Sequence, residues 1–241
     1  MSEHGFTDEQ REGLYRAIRE RRDVRSQFLP DPIAPDILAR LLQAAHHAPS
    51  VGFMQPWDFL VIDSLDIKRA VKSLYEQANV DAANNYAGER AAQYRRLKLE
   101  GIIDSPINLC ITCDRQRGGP HVLGRHTMLD TDLFSTCLAV QNLWLAARAE
   151  GIGVGWVSIV DPTLLAKTLK LPEHVYPVAY LCLGYVSEFL PKPELEIAGW
   201  RSRLPLEQLL HGSTWTSSIM SDALLAAIRD VQCNKAVNPK D

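Results

Sequence analysis

Residues 151–159 read Gly-Ile-Gly-Val-Gly-Trp-Val-Ser-Ile, and the run before them, Asp130 to Glu150, carries Leu133, Phe134, Cys137, Leu138, Val140, Leu143, Trp144 and Leu145. Those apolar residues surround a helical wheel almost completely, so the pattern predicts a central helix stopped by Gly151 and followed at once by a strand over Ile152–Ile159. This order decides against the dinucleotide fold that Gly-x-Gly-x-Gly suggests at first sight. That fingerprint needs its glycines between a strand and a helix, where helix N–H groups meet a pyrophosphate. Here they fall inside the strand, which marks close approach by a ligand or by another stretch of backbone. Ser158, at the strand's end, reads from its position as a turn-initiating hydroxyl before Asp161-Pro162.

Working outward, Thr7 with Gln10 fits a capping box for a first helix reaching about Arg21. Pro30, Pro32 and Pro35 impose extended backbone, and Pro35 takes the favoured first-turn place of a second helix carrying Ile37, Leu38, Leu41, Leu42 and Ala45. Trp57–Ile62, Pro106–Cys113 and Val175–Val186 read as further strands, with helices starting at Ser64 and at Asp161-Pro162. Residues 81–104 are polar and alanine-rich, with Arg90, Arg95, Arg96 and Lys98, and read as a peripheral lid or interface arm. A C-terminal extension begins at about 187, kept extended by Pro191, Pro193 and Pro205 until Leu206–Leu210, with an amphipathic helix after Ser217. Interleaved helices and strands, without an internal repeat or a clear domain boundary, predict one α+β or α/β domain over 1–241, with strand direction open.

The chain's 241 residues suffice for a sizeable core, and 46% hydrophobic with 23% charged residues is ordinary for a globular protein. Lys plus Arg number 26 against 29 Asp plus Glu, a net charge of -3, so no global basic field draws nucleic acid or anionic lipid. The longest nearly uncharged runs, 106–113 and 175–187, are far shorter than the ~20 residues of a membrane-spanning helix. The opening Met-Ser-Glu-His lacks the zones of a secretory signal. Cys110, Cys113, Cys137, Cys182 and Cys233 are an odd set, four of them in apolar surroundings that predict buried thiols. The expected compartment is a reducing cytoplasm.

Arg21-Arg22-Asp23-Val24-Arg25 stands where the first helix ends, so guanidinium forks leave in several directions, as a phosphate site requires. A solvated helix end is the simpler alternative. Arg201-Ser202-Arg203 offers a second cluster for the same anion. The loop with Gly118, Gly119, Pro120 and Gly124 carries Arg115, Arg117 and Arg125 and reads as mobile or ligand-facing. Cys110-x-x-Cys113 falls in a strand, where residues three apart do not share a face, which argues against a redox or metal pair. His46 and His47 suit the negative end of the second helix rather than a metal. No Gly-x-Ser-x-Gly, P-loop or His-Glu-x-x-His occurs, so the residues by themselves lead to an anion-binding site and no metal.

Four segments in order, RRDVRSQF (21–28), APSVGFMQPWDFLVI (48–62), GIGVGWVSI (151–159) and GWRSRLPLEQLL (199–210), resemble the nitroreductase-like flavoproteins from about Arg21 to Leu210. The resemblance implies an α+β fold with a central mixed sheet flanked by helices, and a homodimer with FMN at the subunit interface. It implies that Arg21, Arg22, Asp23, Val24 and Arg25, with Arg201 and Arg203, hold the phosphate and ribityl end. Ser50, Gly52 and Gln55 would lie along the flavin, and the strand ending at Ser158 would pass the ring. Two departures stand out: Phe53 and Met54 replace the Asn that usually precedes Gln-Pro-Trp, and Val160-Asp161 replaces an acidic residue followed by Gly. They weaken a simple nicotinamide-driven reductase, and the runs AAHHAPSVGFMQPW (44–57), TCDRQRGG (112–119) and VQNLWLAARAEGIGVGWVSI (140–159) resemble a branch that consumes reduced FMN with O2, yielding the benzimidazole lower ligand of vitamin B12, which implies Asp23 and Ser158 as catalytic residues. Reducing equivalents would come from NAD(P)H through a separate flavin reductase. An NAD(P)H-dependent flavin or nitro reductase, and a non-catalytic flavin carrier, are the rival readings.

Overall fold

The computed structural model describes residues 4–218 and 221–234. Thr7 Oγ1 accepts from the Gln10 backbone N–H and Gln10 Oε1 from that of Thr7, a reciprocal cap that opens α1, Asp8–Glu20. Pro35 begins α2, Pro35–His46, where its missing N–H costs nothing. Then follow β1 (Trp57–Ile62), α3 (Leu65–Ala83), α4 (Gly88–Arg95), β2 (Ile107–Asp114), α5 (Thr131–Ala149), β3 (Ile152–Val157), α6 (Pro162–Thr168), β4 (Val175–Tyr185), α7 (Glu194–Ile197) and α8 (Asp222–Asn234). Ser64 and Asp161 accept N–H bonds at the starts of α3 and α6 through their side chains.

The sheet has four strands in the order β1-β2-β4-β3, every neighbouring pair antiparallel. The expectation of a mixed sheet is met only by an isolated parallel bridge between Asp23 and Val154 on the outer edge of β3. One face of the sheet packs α2 and α5 through Leu41, Ala45, Trp57, Val140, Leu143 and Trp144. The other packs α3 and α6 through Val24, Ile62, Val71, Tyr75, Leu165 and Tyr180. Helices therefore cover both faces, and what the sheet leaves accessible is its two edges.

α5 differs from the fully enclosed helix that its composition predicts: Phe134, Cys137 and Leu138 are exposed on one side, while Ala139, Val140 and Leu143 are buried on the other. Cys110, Cys113 and Cys182 are buried and Cys137 is not; the side chain of Cys233 lies outside the described residues. The 81–104 segment is less peripheral than its polarity suggests. Tyr94 stacks on Tyr86 with ring centroids 5.0 Å apart, its hydroxyl donates to Asn79, and Ile102 is wholly buried. By internal contacts the chain divides into two units, Met1–Glu194 and Leu195–Asp241. No helix among the described residues is long and apolar enough to cross a membrane.

Candidate functional site

The glycines of β3 exist for backbone. A Cβ on Gly155 would stand 2.1 Å from the carbonyl oxygen of Val24, and one on Gly153 would meet Val186 at 2.4 Å and Val24 at 3.1 Å. Without them the 23–24 segment could not lie along the strand, where the Val24 N–H donates to Val154 O at 3.0 Å. Asp23 is fixed at both carboxylate oxygens: Oδ1 accepts from the Trp156 N–H at 2.9 Å and Oδ2 from Arg25 at 2.7 Å. Arg25 is buried, and its Nε–H has no hydrogen-bond partner, an uncommon state for a buried charged fork. Arg21 lies over the Trp144 ring, 5.3 Å from its centroid. Glu194, which the sequence reading passed over, stands near this pair; burial pushes its carboxyl above the ordinary range, against the pull of Arg25.

Two members of the expected anion cluster do other work. Arg22 donates to the carbonyls of Leu190, Pro191, Arg19 and Arg21, tying the helix end to the start of the extension. Val24 is a core residue with a buried side chain. Arg201 and Arg203 are exposed and belong to the second unit. Ser158 is exposed directly after β3, and Asp161 is committed to capping α6.

Ser50, Gly52 and Gln55 form a tight turn before β1 whose backbone is left-handed at Gly52 (φ 59), Phe53 (φ 53) and Gln55 (φ 47). For the two residues with side chains this costs roughly 1–2 kcal/mol each, and such strain survives only where the surroundings over-determine it. They do so here. Ser50 Oγ accepts from the Gln55 N–H at 3.1 Å, Ser135 Oγ from the Val51 N–H at 3.2 Å, and Arg117 donates to the Gln55 carbonyl at 3.2 Å. Nothing in the spacing of Ser135 or Arg117 announces these roles. Trp57 Nε1 donates to His46 Nδ1 at 3.2 Å, and His47 Nδ1 lies 2.8 Å from the Gln43 carbonyl near the end of α2.

The glycine-rich loop is pinned rather than loose. Asp132, fully buried, takes Arg115 at 2.9 Å and Arg125 at 2.7 Å, while Arg117 engages both carboxylate oxygens of Asp58. Burial pushes Cys110 up to about 12 and Cys113 up to about 11, so neither is a thiolate at neutral pH. No group of three His, Cys, Asp or Glu is placed to hold a metal among the described residues. The Asp23–Arg25 group stands beside β3, and the Ser50–Gln55 turn at the start of β1, the edge strand on the other side of the sheet. Three interstrand spacings, roughly 14 Å, separate the two edges.

A sheet with helices on both faces and polar groups at both edges is the architecture of a flavoprotein family: the Nitroreductase family matches residues 18–185, and the chain belongs to it. A 5,6-dimethylbenzimidazole synthase of Rhodospirillum rubrum is 44% identical over 195 residues, covering 81% of this chain and 92% of that protein. Another of the same name from Rhodobacter capsulatus is 41% identical over 203 residues, covering 84% and 97%. The fold is shared with an iodotyrosine deiodinase solved with FMN and 3-iodo-L-tyrosine, at TM-score 0.63 and 22% identity over 79% of this chain and 96% of that one. A nitroreductase family protein from Clostridium difficile 630 gives TM-score 0.61 at 18% identity, covering 82% and 96%.

Proposed function

We propose that this protein converts reduced FMN, with O2, to 5,6-dimethylbenzimidazole, releasing a sugar phosphate fragment. The observation that carries this reading is the 44% identity, across 92% of its length, to a synthase of that name. A flavin supplies the electrons and the carbon skeleton; the chain supplies binding, orientation and a dry surrounding. The residues present fit such a ligand. Arg25 offers a buried N–H without a partner, Arg21 a second guanidinium, and Asp23 a carboxylate already oriented by two donors. Arg201 and Arg203 are assigned to the phosphate on the resemblance. In this reading Asp23 moves a proton near the ribityl chain and Ser158 donates a hydrogen bond near the ring.

The Asp23–Arg25 group lies beside one edge strand and the Ser50–Gln55 turn leads into the other, which suits the subunit-interface flavin that the family resemblance implies. The site is accordingly composed from two copies, the Asp23–Arg25 edge of one and the Ser50–Gln55 turn of the other. The α4 arm serves as a lid, excluding the water that would otherwise divert reduced flavin and O2 to hydrogen peroxide. A separate reductase using NAD(P)H supplies the reduced flavin.

The test is direct. Purified protein is loaded with reduced FMN without oxygen, air is admitted, and the products are resolved by chromatography and mass spectrometry. 5,6-Dimethylbenzimidazole appearing in proportion to FMN lost supports the synthase; intact oxidised FMN with peroxide transfers the reading to a reductase or a carrier.

A further inference from the structure

The segment from Thr112 to Gly119, Thr-Cys-Asp-Arg-Gln-Arg-Gly-Gly, runs from the end of β2 into the glycine-rich loop and contributes no group to the site, yet it holds Gln55, a left-handed residue of the turn. The carbonyls of Gln55, Pro56 and Trp57 are consecutive, and all are taken by this loop. Arg117 donates to Gln55 O at 3.2 Å and Trp57 O at 3.1 Å, and the Asp114 N–H donates to Pro56 O at 2.7 Å. The remaining guanidinium donors face carboxylates: NH2 engages Asp58 at 2.9 and 2.7 Å, and Nε lies 3.4 Å from Asp114. Farther along, Val122 and Leu123 close over Gly52, where a Cβ would meet them at 2.6 and 2.8 Å.

We propose that Arg117 is a positioning residue for the Ser50–Gln55 turn, acting on the flavin only through the Gln55 backbone; this rests on the reading of that turn as flavin-facing. Gln55 is held in its left-handed conformation from both ends, its N–H by Ser50 and its C=O by Arg117. An ordinary surface ion pair is a poor account of Arg117. Its side chain and that of Asp58 are 34% and 44% exposed, and pairs so exposed contribute little. The planar fork is what the place demands, because one guanidinium meets two carbonyls and a carboxylate in fixed directions, which an ammonium cannot reproduce. Arg117 also lines an open cleft of about 430 Å³ with His46, Met54, Gln55, Trp57, Asp58 and Phe59, so a small cation from solvent can reach its place.

The experiment compares full-length Arg117→Ala, Arg117→Lys, Asp58→Asn and Gln55→Ala, reading FMN affinity by flavin fluorescence, kcat and KM for reduced FMN, and thermal midpoint. Arg117→Ala is expected to weaken FMN binding about tenfold, the loss of hydrogen bonds from a charged donor, with KM raised more than kcat is lowered. Guanidinium chloride at low millimolar concentration restores binding. Arg117→Lys, which keeps the charge and the fold, remains weakened, whereas Asp58→Asn stays within about twofold of the parent. Wild-type affinity in both Arg117 variants while Gln55→Ala loses affinity overturns the role of Arg117 alone. If Gln55→Ala also leaves affinity and turnover unchanged, the flavin-facing reading of the turn falls and the proposal with it. A loss in Arg117→Ala that guanidinium does not restore, with Arg117→Lys at parent affinity, also overturns it, since charge alone then suffices.

Discussion

At the β3 edge, Asp23 is bridged to the strand and Arg25 stands at the bend just after it, and what distinguishes the place is side-chain charge. At the start of β1, Gly52, Phe53 and Gln55 stand on left-handed backbone held by hydroxyls and a guanidinium, and charge enters only behind it. The first can be read from residue types, because guanidinium and carboxylate groups carry their chemistry with them. The second cannot, because its character is a conformation maintained by residues distant in sequence. The two edges should therefore fail in different ways when altered.

The largest effect is expected on activity at the β3 edge. Asp23→Asn should lower 5,6-dimethylbenzimidazole formation by about 10²-fold or more, the scale of a lost proton-transfer group, with FMN still bound. Product formation near the parent rate, followed by mass spectrometry, would remove Asp23 from the chemistry. Next is Gly155→Ala, where a Cβ 2.1 Å from Val24 O forces the 23–24 segment off the strand. A loss of about 3 kcal/mol in urea unfolding is expected, toward the upper end for overpacking. A smaller value would mean that the edge yields easily and the contrast with the β1 turn is overstated.

Gly52→Ala tests the other edge. It adds roughly 1–2 kcal/mol of left-handed strain, plus contact with Val122 and Leu123, and should weaken FMN binding more than it alters the bound Asp23 geometry. Equal effects in a protein also carrying Asp23→Asn would show that the two edges act independently. A further effect, set by pH rather than by substitution, concerns the sheet between them. Cys110 and Cys182 are pushed up to about 12 and Cys113 to about 11 by burial, from an ordinary 9.0. These thiols favour the folded state fully below pH 9, and that contribution is lost as pH rises from 9 toward 11 to 12. Urea midpoints taken across that range should fall; a flat profile would mean that the thiols ionise without unfolding.

The same division explains what the sequence discloses. Trp57–Ile62 is found residue for residue, because β-branched and aromatic residues bounded by Pro56 and Asp63 leave little choice. Pro35, Ser64 and Asp161 announce their helices through local chemistry that tertiary structure did not override. Gly153 and Gly155 are legible as close approach, but not what approaches; the answer, Val24, lies over a hundred residues away. Arg22 shows the limit from the other side. Its residue type suggests a phosphate ligand, while its bonds to the Leu190 and Pro191 carbonyls are visible only in the fold. The exposed side of α5 misleads for a similar reason, since composition counts apolar residues without saying which of them find a neighbour.

That tie has a mechanical side. Arg22 grips the chain at Leu190 and Pro191, and the next residue is Asp23, itself fastened to β3. The guanidinium thus links that stretch to a point a single peptide unit from the carboxylate. A pull at Leu190 or Pro191 therefore has two routes inward, the backbone to β4 and the guanidinium to the residue beside Asp23.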